Sequence, residues 1–185
     1  MSLNAFRKMS VVGVEDGSFQ KGIVEKALLA AVLLKGLKIK KVKITKICVD
    51  GLDATEKLSR ILNKWKFDAV MLAGVSFAGF NVIDPTAIYG KSKRPIVVIS
   101  RTKPDNKAVK RALQRHFDDW VDRWGVFEKL GEIHETTTLS AQSPVYFEVI
   151  GAEAKWAAKF IKAFSVCGRI PEPVRIARLI ARGLS

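Results

Sequence analysis

Hydrophobic residues fall along this chain in two rhythms. In the first fifty residues they gather in short runs that read as three strands, residues 10–15, 25–34 and 42–50. Between them lie Asp16-Gly17-Ser18 and a Lys-rich link around Gly36. Links that short predict antiparallel hairpins. From residue 54 to 65 the rhythm changes, and Leu58, Ile61, Leu62 and Trp65 recur at helical spacing behind Asp53 or Thr55 as a cap. Residues 67–74 and 94–100 are almost wholly apolar, as parallel strands buried beneath helices on both faces are. Pro104 opens a helix on which Val109, Ala112, Leu113, His116 and Trp120 share one face and Lys107, Lys110, Arg111, Gln114 and Arg115 the other. Residues 145–150 then read as a strand and 152–164 as a helix turning Trp156, Phe160, Ile161 and Phe164 inward; the last helix starts at Pro173. Three hairpin-linked strands followed by strand–helix alternation predict an α/β fold with a mixed sheet. No repeat, low-complexity tract or linker divides residues 1–185, so one domain is expected.

Composition adds a partner to this picture. A chain of 185 residues is long enough for one full core, and 48% apolar content with a mean hydropathy of +0.09 excludes a disordered chain. Lys and Arg number 32 against 18 Asp and Glu, a formal charge of +14 that points to a polyanion such as DNA or RNA, weighed against a generally basic surface on a stable protein. The excess is segmental. Residues 35–46 hold six Lys and no acid, residues 91–115 hold nine cations against Asp105, and residues 155–185 hold seven against Glu172. Residues 118–153 hold eight acids against Arg123 and Lys129. Two helix faces, Lys107, Lys110 and Arg111 on one and Arg175, Arg178 and Arg182 on the other, are the candidate nucleic-acid contacts, with simple solvation as the alternative. The lysines of 38–46 fit protection of a sheet edge better than recognition.

Cys48 and Cys167 are far apart and belong to no CxxC or Cys/His cluster, so neither a zinc site nor a disulfide framework is readable and a reduced, cytoplasmic setting is expected. The first residues lack the apolar core of a signal peptide. The longest uncharged run, residues 69–83, has 15 residues broken by Gly74 and Gly79, so no membrane span is expected.

Acidic residues fall where strands end: Glu15 and Asp16, Asp50 and Asp53, and Asp84. Carboxylates converging from neighbouring strand ends are what Mg²⁺ or Mn²⁺ needs, and two-metal phosphoryl transfer needs several around shared ions. Glu15, Asp16, Asp50 and Asp53 are therefore the catalytic candidates, and Glu15, Asp50, Asp53 and Asp84 the candidate metal ligands. The same residues also cap turns and helices. Asn81, with Asp84, is a candidate to line a pocket at the sheet end. His116, on an apolar helix face, reads as packed, and His134 has no partner at ligand spacing. Gly74-Val75-Ser76-Phe77-Ala78-Gly79 lacks the Lys-Ser/Thr ending of a P-loop and is one residue too long for a nucleophile elbow, which removes support for an NTPase or a hydrolase triad.

Four segments in a fixed order carry a family resemblance over nearly the whole chain: Val12-Gly13-Val14-Glu15-Asp16-Gly17, Val49-Asp50-Gly51-Leu52-Asp53-Ala54-Thr55, Ala78-Gly79-Phe80-Asn81-Val82-Ile83-Asp84 and Arg169-Ile170-Pro171-Glu172-Pro173-Val174-Arg175-Ile176-Ala177. Together they resemble the uncharacterised archaeal family related to endonuclease V. The resemblance implies an RNase H-like fold, a mixed five-stranded sheet whose first three strands are antiparallel. It also implies kinship with a magnesium-dependent nuclease that cleaves near deoxyinosine in DNA or inosine in RNA. Residue by residue the match is uneven. The nuclease pattern's first-strand Gly-Val-Asp corresponds to Gly13-Val14-Glu15, and its glutamate after the third strand is matched loosely by Asp50 or Asp53. Its fourth-strand Asp-Gly falls on Ala73-Gly74 and its late Gly-His or Gly-Asp on Gly151-Ala152. Its Pro-Tyr-Ile-Pro wedge has no counterpart before Asp50, whereas Pro171-Glu172-Pro173 and Arg175 match its C-terminal element. Three readings stand at this point: a nucleic-acid-binding nuclease with a rearranged Mg²⁺ or Mn²⁺ site, a non-catalytic DNA or RNA binder on the same scaffold, and an enzyme acting on a small molecule near Asn81 and Asp84.

Overall fold

The structure is a computed structural model that describes residues 2–138 and 141–185. A short helix, α1 (Leu3–Phe6), leads into three strands, β1 (Ser10–Asp16), β2 (Lys26–Lys35) and β3 (Lys38–Cys48), and then into α2 (Ala54–Leu62) and β4 (Ala69–Leu72). A small hairpin follows, β5 (Ser76–Phe77) and β6 (Asn81–Val82), then α3 (Pro85–Ser92), β7 (Ile96–Ser100), α4 (Asn106–His116) and α5 (Trp120–Glu128). The chain ends with β8 (His134–Thr138), β9 (Ala141–Ile150), α6 (Ala154–Phe164) and α7 (Glu172–Gly183).

The main sheet has the order β3-β2-β1-β4-β7-β9-β8. The first three strands are antiparallel, β4 and β7 join β1 in parallel, and β9 returns antiparallel to β7. The expected mixed α/β sheet is present, with seven strands rather than five. The β8–β9 hairpin extends it beyond β7. β8 escapes a hydrophobic reading because its inward positions are Thr136 and Thr138, buried polar residues that leave no apolar alternation in His-Glu-Thr-Thr-Thr.

Other differences have equally local causes. β3 begins at Lys38, not residue 42, since it is an outer strand whose lysines stay in solvent while its backbone pairs with β2. The helix expected to run from Pro104 through Trp120 is two helices. α4 starts behind Asp105, whose side chain accepts from the Ala108 amide, and stops where Phe117 turns extended; Trp120 opens α5. His116, in the last turn of α4, is exposed rather than packed. α3 carries a readable signal in Asp84-Pro85, a capping acid followed by proline at the first helical position.

Alternation along the central strands splits the core into two layers. Val12 and Val14 of β1, with Val70, Leu72 and Val98, pack under Leu58 and Ile61 of α2. Val11, with Met71, Val97 and Phe147, packs under Phe160 and Phe164 of α6 and Val174 of α7. Among the described residues no helix is long and apolar enough to cross a membrane.

The residues of β1 that follow Val11 on its face are Gly13, Glu15 and Gly17. A Cβ at Gly13 would lie 2.0 Å from the Pro173 carbonyl oxygen, and one at Gly17 would lie 2.8 Å from that of Ala181. From Gly13 to Gly17 the strand rises about 13 Å, and from Pro173 to Ala181 the helix rises about 12 Å. α7 therefore runs alongside β1, seated on its two glycines, with Glu15 held beneath the middle of the helix. Gly13→Ala is expected to lower stability by at least the roughly 1–3 kcal/mol typical of overpacking, because backbone must shift to admit the methyl group. Gly90→Ala in α3, where an added Cβ meets nothing within 4 Å, is expected to gain about 0.5–1 kcal/mol. Urea denaturation of both variants checks the opposite signs.

Candidate functional site

β1, β4 and β7 run parallel, and α7 lies along β1 and β2 beside the C-terminal ends of β4 and β7. The result is a cleft of about 410 Å³ whose walls include Glu15, Gly74, Ser100, Arg101, Arg178 and Arg182. Glu15 is its carboxylate. Burial, then the neighbouring Asp16 charge, raises the Glu15 pKa to about 8, with Arg178 pulling the other way. Val174, Arg178 and Arg182 recur every fourth residue along α7, which turns both guanidinia into the cleft, and Arg101 enters from the end of β7. Three guanidinium groups around a concave surface suit the non-bridging oxygens of a phosphodiester backbone.

The remaining acids are used elsewhere. Asp16 accepts from the Ala78 amide at 2.6 Å through one oxygen. Asp50 sits in a left-handed turn (φ 56°), accepts from the Phe80 amide at 2.8 Å and pairs with Lys21 at 2.9 Å. Burial would raise its pKa, but the Lys21, Phe80 and Arg123 partners outweigh this and hold the carboxyl below its ordinary range. Asp53 accepts from the Cys48 amide at 3.0 Å and from Asn81 at 2.6 Å, and pairs with Lys57 at 2.6 Å. Against a desolvation effect of opposite sign, these bonds hold it well below the carboxylate range. Asp84 caps α3 through the Thr86 and Ala87 amides and meets Lys129 at 3.4 Å. Among the described residues no group of three or more His, Cys, Asp or Glu is placed to hold a metal ion. The expected ligand set of Glu15, Asp50, Asp53 and Asp84 is not brought together. A two-metal arrangement does not fit; among the described residues the cleft wall has one acid, Glu15, with Asp16 next to it in sequence.

Asn81 is a structural bridge rather than a pocket wall. It is fully buried, donates to the Cys48 carbonyl and to Asp53, and accepts from the Ala54 amide. Arg123, which the sequence alone does not single out, completes the lock. It is 4% exposed, forks onto Asp119, and donates to the carbonyls of Phe80 at 2.6 Å and Gly51 at 3.1 Å. The Asp50–Thr55 and Ala78–Asp84 motifs are thus two halves of one hydrogen-bonded unit.

The basic candidates divide. Arg178 and Arg182 line the cleft, but Arg175 is turned back onto Glu172 in a two-pronged pair at 2.8 and 2.7 Å. Lys110 lies over the Trp124 ring at 4.9 Å, and Lys107 and Arg111 are exposed on α4; none of the three is among the described residues of the cleft wall. Ala73-Gly74 does border the cleft, where the endonuclease V pattern has an acid. Gly151-Ala152 does not: it lies beside Met9, Asp68 and Pro95, at the opposite end of the sheet. α7 supplies arginines at the position that alignment leaves open.

A second feature borders the cleft. Glu148 of β9 is 3% exposed and lines a cavity of about 180 Å³ on the α4–α5 side of the sheet, and its Oε2 atom has no hydrogen-bond partner among the described residues. Burial pushes its pKa up to about 7. The sequence signal was a single acid inside the apolar run Phe147-Glu148-Val149-Ile150.

Comparison with known proteins agrees with this architecture. The family model for endonuclease dU matches residues 7–185. A UPF0215 protein of Pyrococcus furiosus is 35% identical over 181 residues, covering 95% of this chain and 91% of that one. A crystal structure of a protein of unknown function from Archaeoglobus fulgidus superposes with a TM-score of 0.84 at 31% identity, covering 96% of this chain and 98% of that chain. Endonuclease V of Ciona intestinalis, in complex with a 23mer DNA containing an inosine followed by a ribo-adenosine, has a TM-score of 0.60 at 14% identity, with coverage of 91% and 82%. That last likeness is one of fold.

Arg123→Met takes the donor from the half-buried carbonyls of Gly51 and Phe80 and is expected to cost about 1–3 kcal/mol, which a thermal melt checks. Glu148→Gln reports on burial of the acid. Because the folded-state pKa lies above the ordinary 4.5, ionisation of Glu148 costs the parent stability progressively as pH rises through 4.5–7 and constantly above that. Relative to the parent, Glu148→Gln is therefore expected to gain up to about 3 kcal/mol between pH 4 and pH 8. Urea denaturation at the two pH values measures the difference.

Proposed function

The chain belongs to the endonuclease dU family, and from that premise we propose that it is an endonuclease acting on deoxyuridine-containing DNA, with the strand backbone seated in the α7 cleft. The observation that carries this reading is a half-buried carboxylate, Glu15, sharing one cleft wall with Arg101, Arg178 and Arg182 at the ends of three parallel strands. The family's name supplies the substrate. The fold shared with an endonuclease V that was solved on DNA supports the location.

In this reading Arg178 and Arg182 bind and orient the phosphodiester, while Ser100 and Thr102 offer hydroxyl donors from the end of β7. Glu15, held in place by the two glycines that flank it, presents its carboxylate to the reacting phosphate from beneath. Magnesium is the cofactor we assign, in a changed form. One ion held by the Glu15 and Asp16 carboxylates and substrate phosphate oxygens would fit the donor set, since Mg²⁺ is commonly bound by one or two carboxylates plus phosphate. Bound there, it would neutralise charge developing on the phosphate.

The test uses single-stranded and duplex DNA carrying one deoxyuridine, with thymidine-only controls, incubated with and without Mg²⁺ or Mn²⁺ while binding and cleavage are scored separately. Cleavage is expected with metal only and only at the deoxyuridine strand. Glu15→Gln is expected to abolish it while salt-dependent binding persists. Arg178→Ala and Arg182→Ala are each expected to lower the slope of log K against log salt by roughly 0.7 on single strands, the value of one phosphate contact. Binding that ignores salt overturns the reading. Salt-dependent binding with no cleavage of any substrate replaces it with the non-catalytic reading.

A further inference from the structure

The cavity beneath α4 and α5 and the cleft beneath α7 share three wall residues, Gly74, Ser100 and Pro104. Cleft and cavity therefore meet at the ends of β4 and β7, and a base turned around that edge from a strand in the cleft comes to the cavity. Resting on the reading above, we propose that this cavity receives the uracil base extruded from the strand, and that Glu148 reads its polar edge.

Four observations converge on this assignment. Size comes first: about 180 Å³ corresponds to roughly six waters of liquid, the scale of one small planar ring. Second, Val109, Phe127 and Leu130 provide apolar walls, with Phe127 itself stacked on Trp124 at 5.8 Å between ring centroids, so its ring is held in one orientation. Third, the polar side chains of the lining are few, Ser76, Ser100, Asn106 and Glu148 among apolar neighbours, the composition of a recognition pocket. Fourth, the Glu148 Oε2 atom is buried with no partner among the described residues, an arrangement that costs stability unless something else uses the atom.

The chemistry of the acid matches the base. A protonated carboxyl has one O–H donor and one carbonyl acceptor side by side; the uracil edge has an N–H donor beside a carbonyl acceptor. Two parallel hydrogen bonds result, with the Glu148 O–H donating to a uracil carbonyl and the uracil N3–H donating to the other Glu148 oxygen. Burial favours the protonated form that this pairing requires. Extrusion costs a few kcal/mol from a duplex and little from a single strand, so single strands are the cleaner probe.

The experiment compares the affinity of the full chain for a single-stranded oligonucleotide containing one deoxyuridine with that for the same strand carrying an abasic tetrahydrofuran at that place, without metal so that no cleavage intervenes. The parent is expected to prefer the uracil strand by about tenfold, the worth of one good polar pairing. Glu148→Gln, whose amide offers the same donor and acceptor, is expected to keep the ratio within twofold, and Glu148→Leu to bring it near one. Val109→Trp fills the cavity without touching Glu148 and is expected to erase the preference as well, so that a fold defect in Glu148→Leu does not leave the proposal unexamined. DNA binding by the parent with no preference for the uracil strand, or a preference that survives both Glu148→Leu and Val109→Trp, overturns the pocket assignment alone. Absence of any salt-dependent DNA binding overturns the function proposed above together with it.

Discussion

Helix α7 can lie flat on β1 only because β1 has no side chain at Gly13, where a Cβ would come within 2.0 Å of the Pro173 carbonyl, and none at Gly17 beneath Ala181. Strand and helix advance at different rates per residue, so four residues of β1 match eight of α7, and the two glycines are spaced to meet two turns of helix. Everything in the cleft follows from that seating. Glu15, between the glycines, is covered by α7 and loses water, which raises its proton affinity. The helix stripe one residue on from the contact positions is Val174, Arg178 and Arg182, and it faces the ends of β4 and β7.

Acidic residues at strand ends have two uses in this molecule, and the structure separates them by their partners. Asp50, Asp53 and Asp84 each hold backbone amides and a lysine, and with Asn81 and Arg123 they fasten the β5–β6 hairpin to the turn between β3 and α2. These carboxylates are committed to low-pKa, fully bonded states that give the end of the sheet its rigid shape. Glu15 and Glu148 are the opposite case: both are raised in pKa by desolvation, on either side of a shared wall at Gly74, Ser100 and Pro104, and the buried Glu148 has an Oε2 atom without a partner among the described residues. Groups in that condition carry an unmet capacity to bind, which is why the function is assigned to them.

How much was legible depended on whether a feature was local. The three antiparallel strands, the two parallel ones and the helices α2, α6 and α7 follow from runs and periodicities that need only neighbouring residues. β8 was hidden because its inward residues are threonines, and the break between α4 and α5 because Val109 to Trp120 keeps helical spacing across a bend. In the candidate site Glu15, Arg178 and Arg182 are legible as an acid at a strand end and cations on a helix face, and the structure puts all three on the wall of one cleft. Arg175 had the same spacing but lies three residues from Glu172, close enough to pair with it, and its charge is absorbed there.

The sequence by itself determined that the sheet is mixed and starts with three antiparallel strands, the basic character of α7 and the acid at the end of β1, because each is a property of a short stretch of chain. Only the tertiary structure decided which acids are free. Burial and hydrogen bonding depend on residues far apart in sequence, such as Asp50 with Phe80, Arg123 with Gly51, and Glu148 with the wall it shares with Gly74. A carboxylate's chemistry is set by those partners, so the same residue type came out as a cap, a brace or a site.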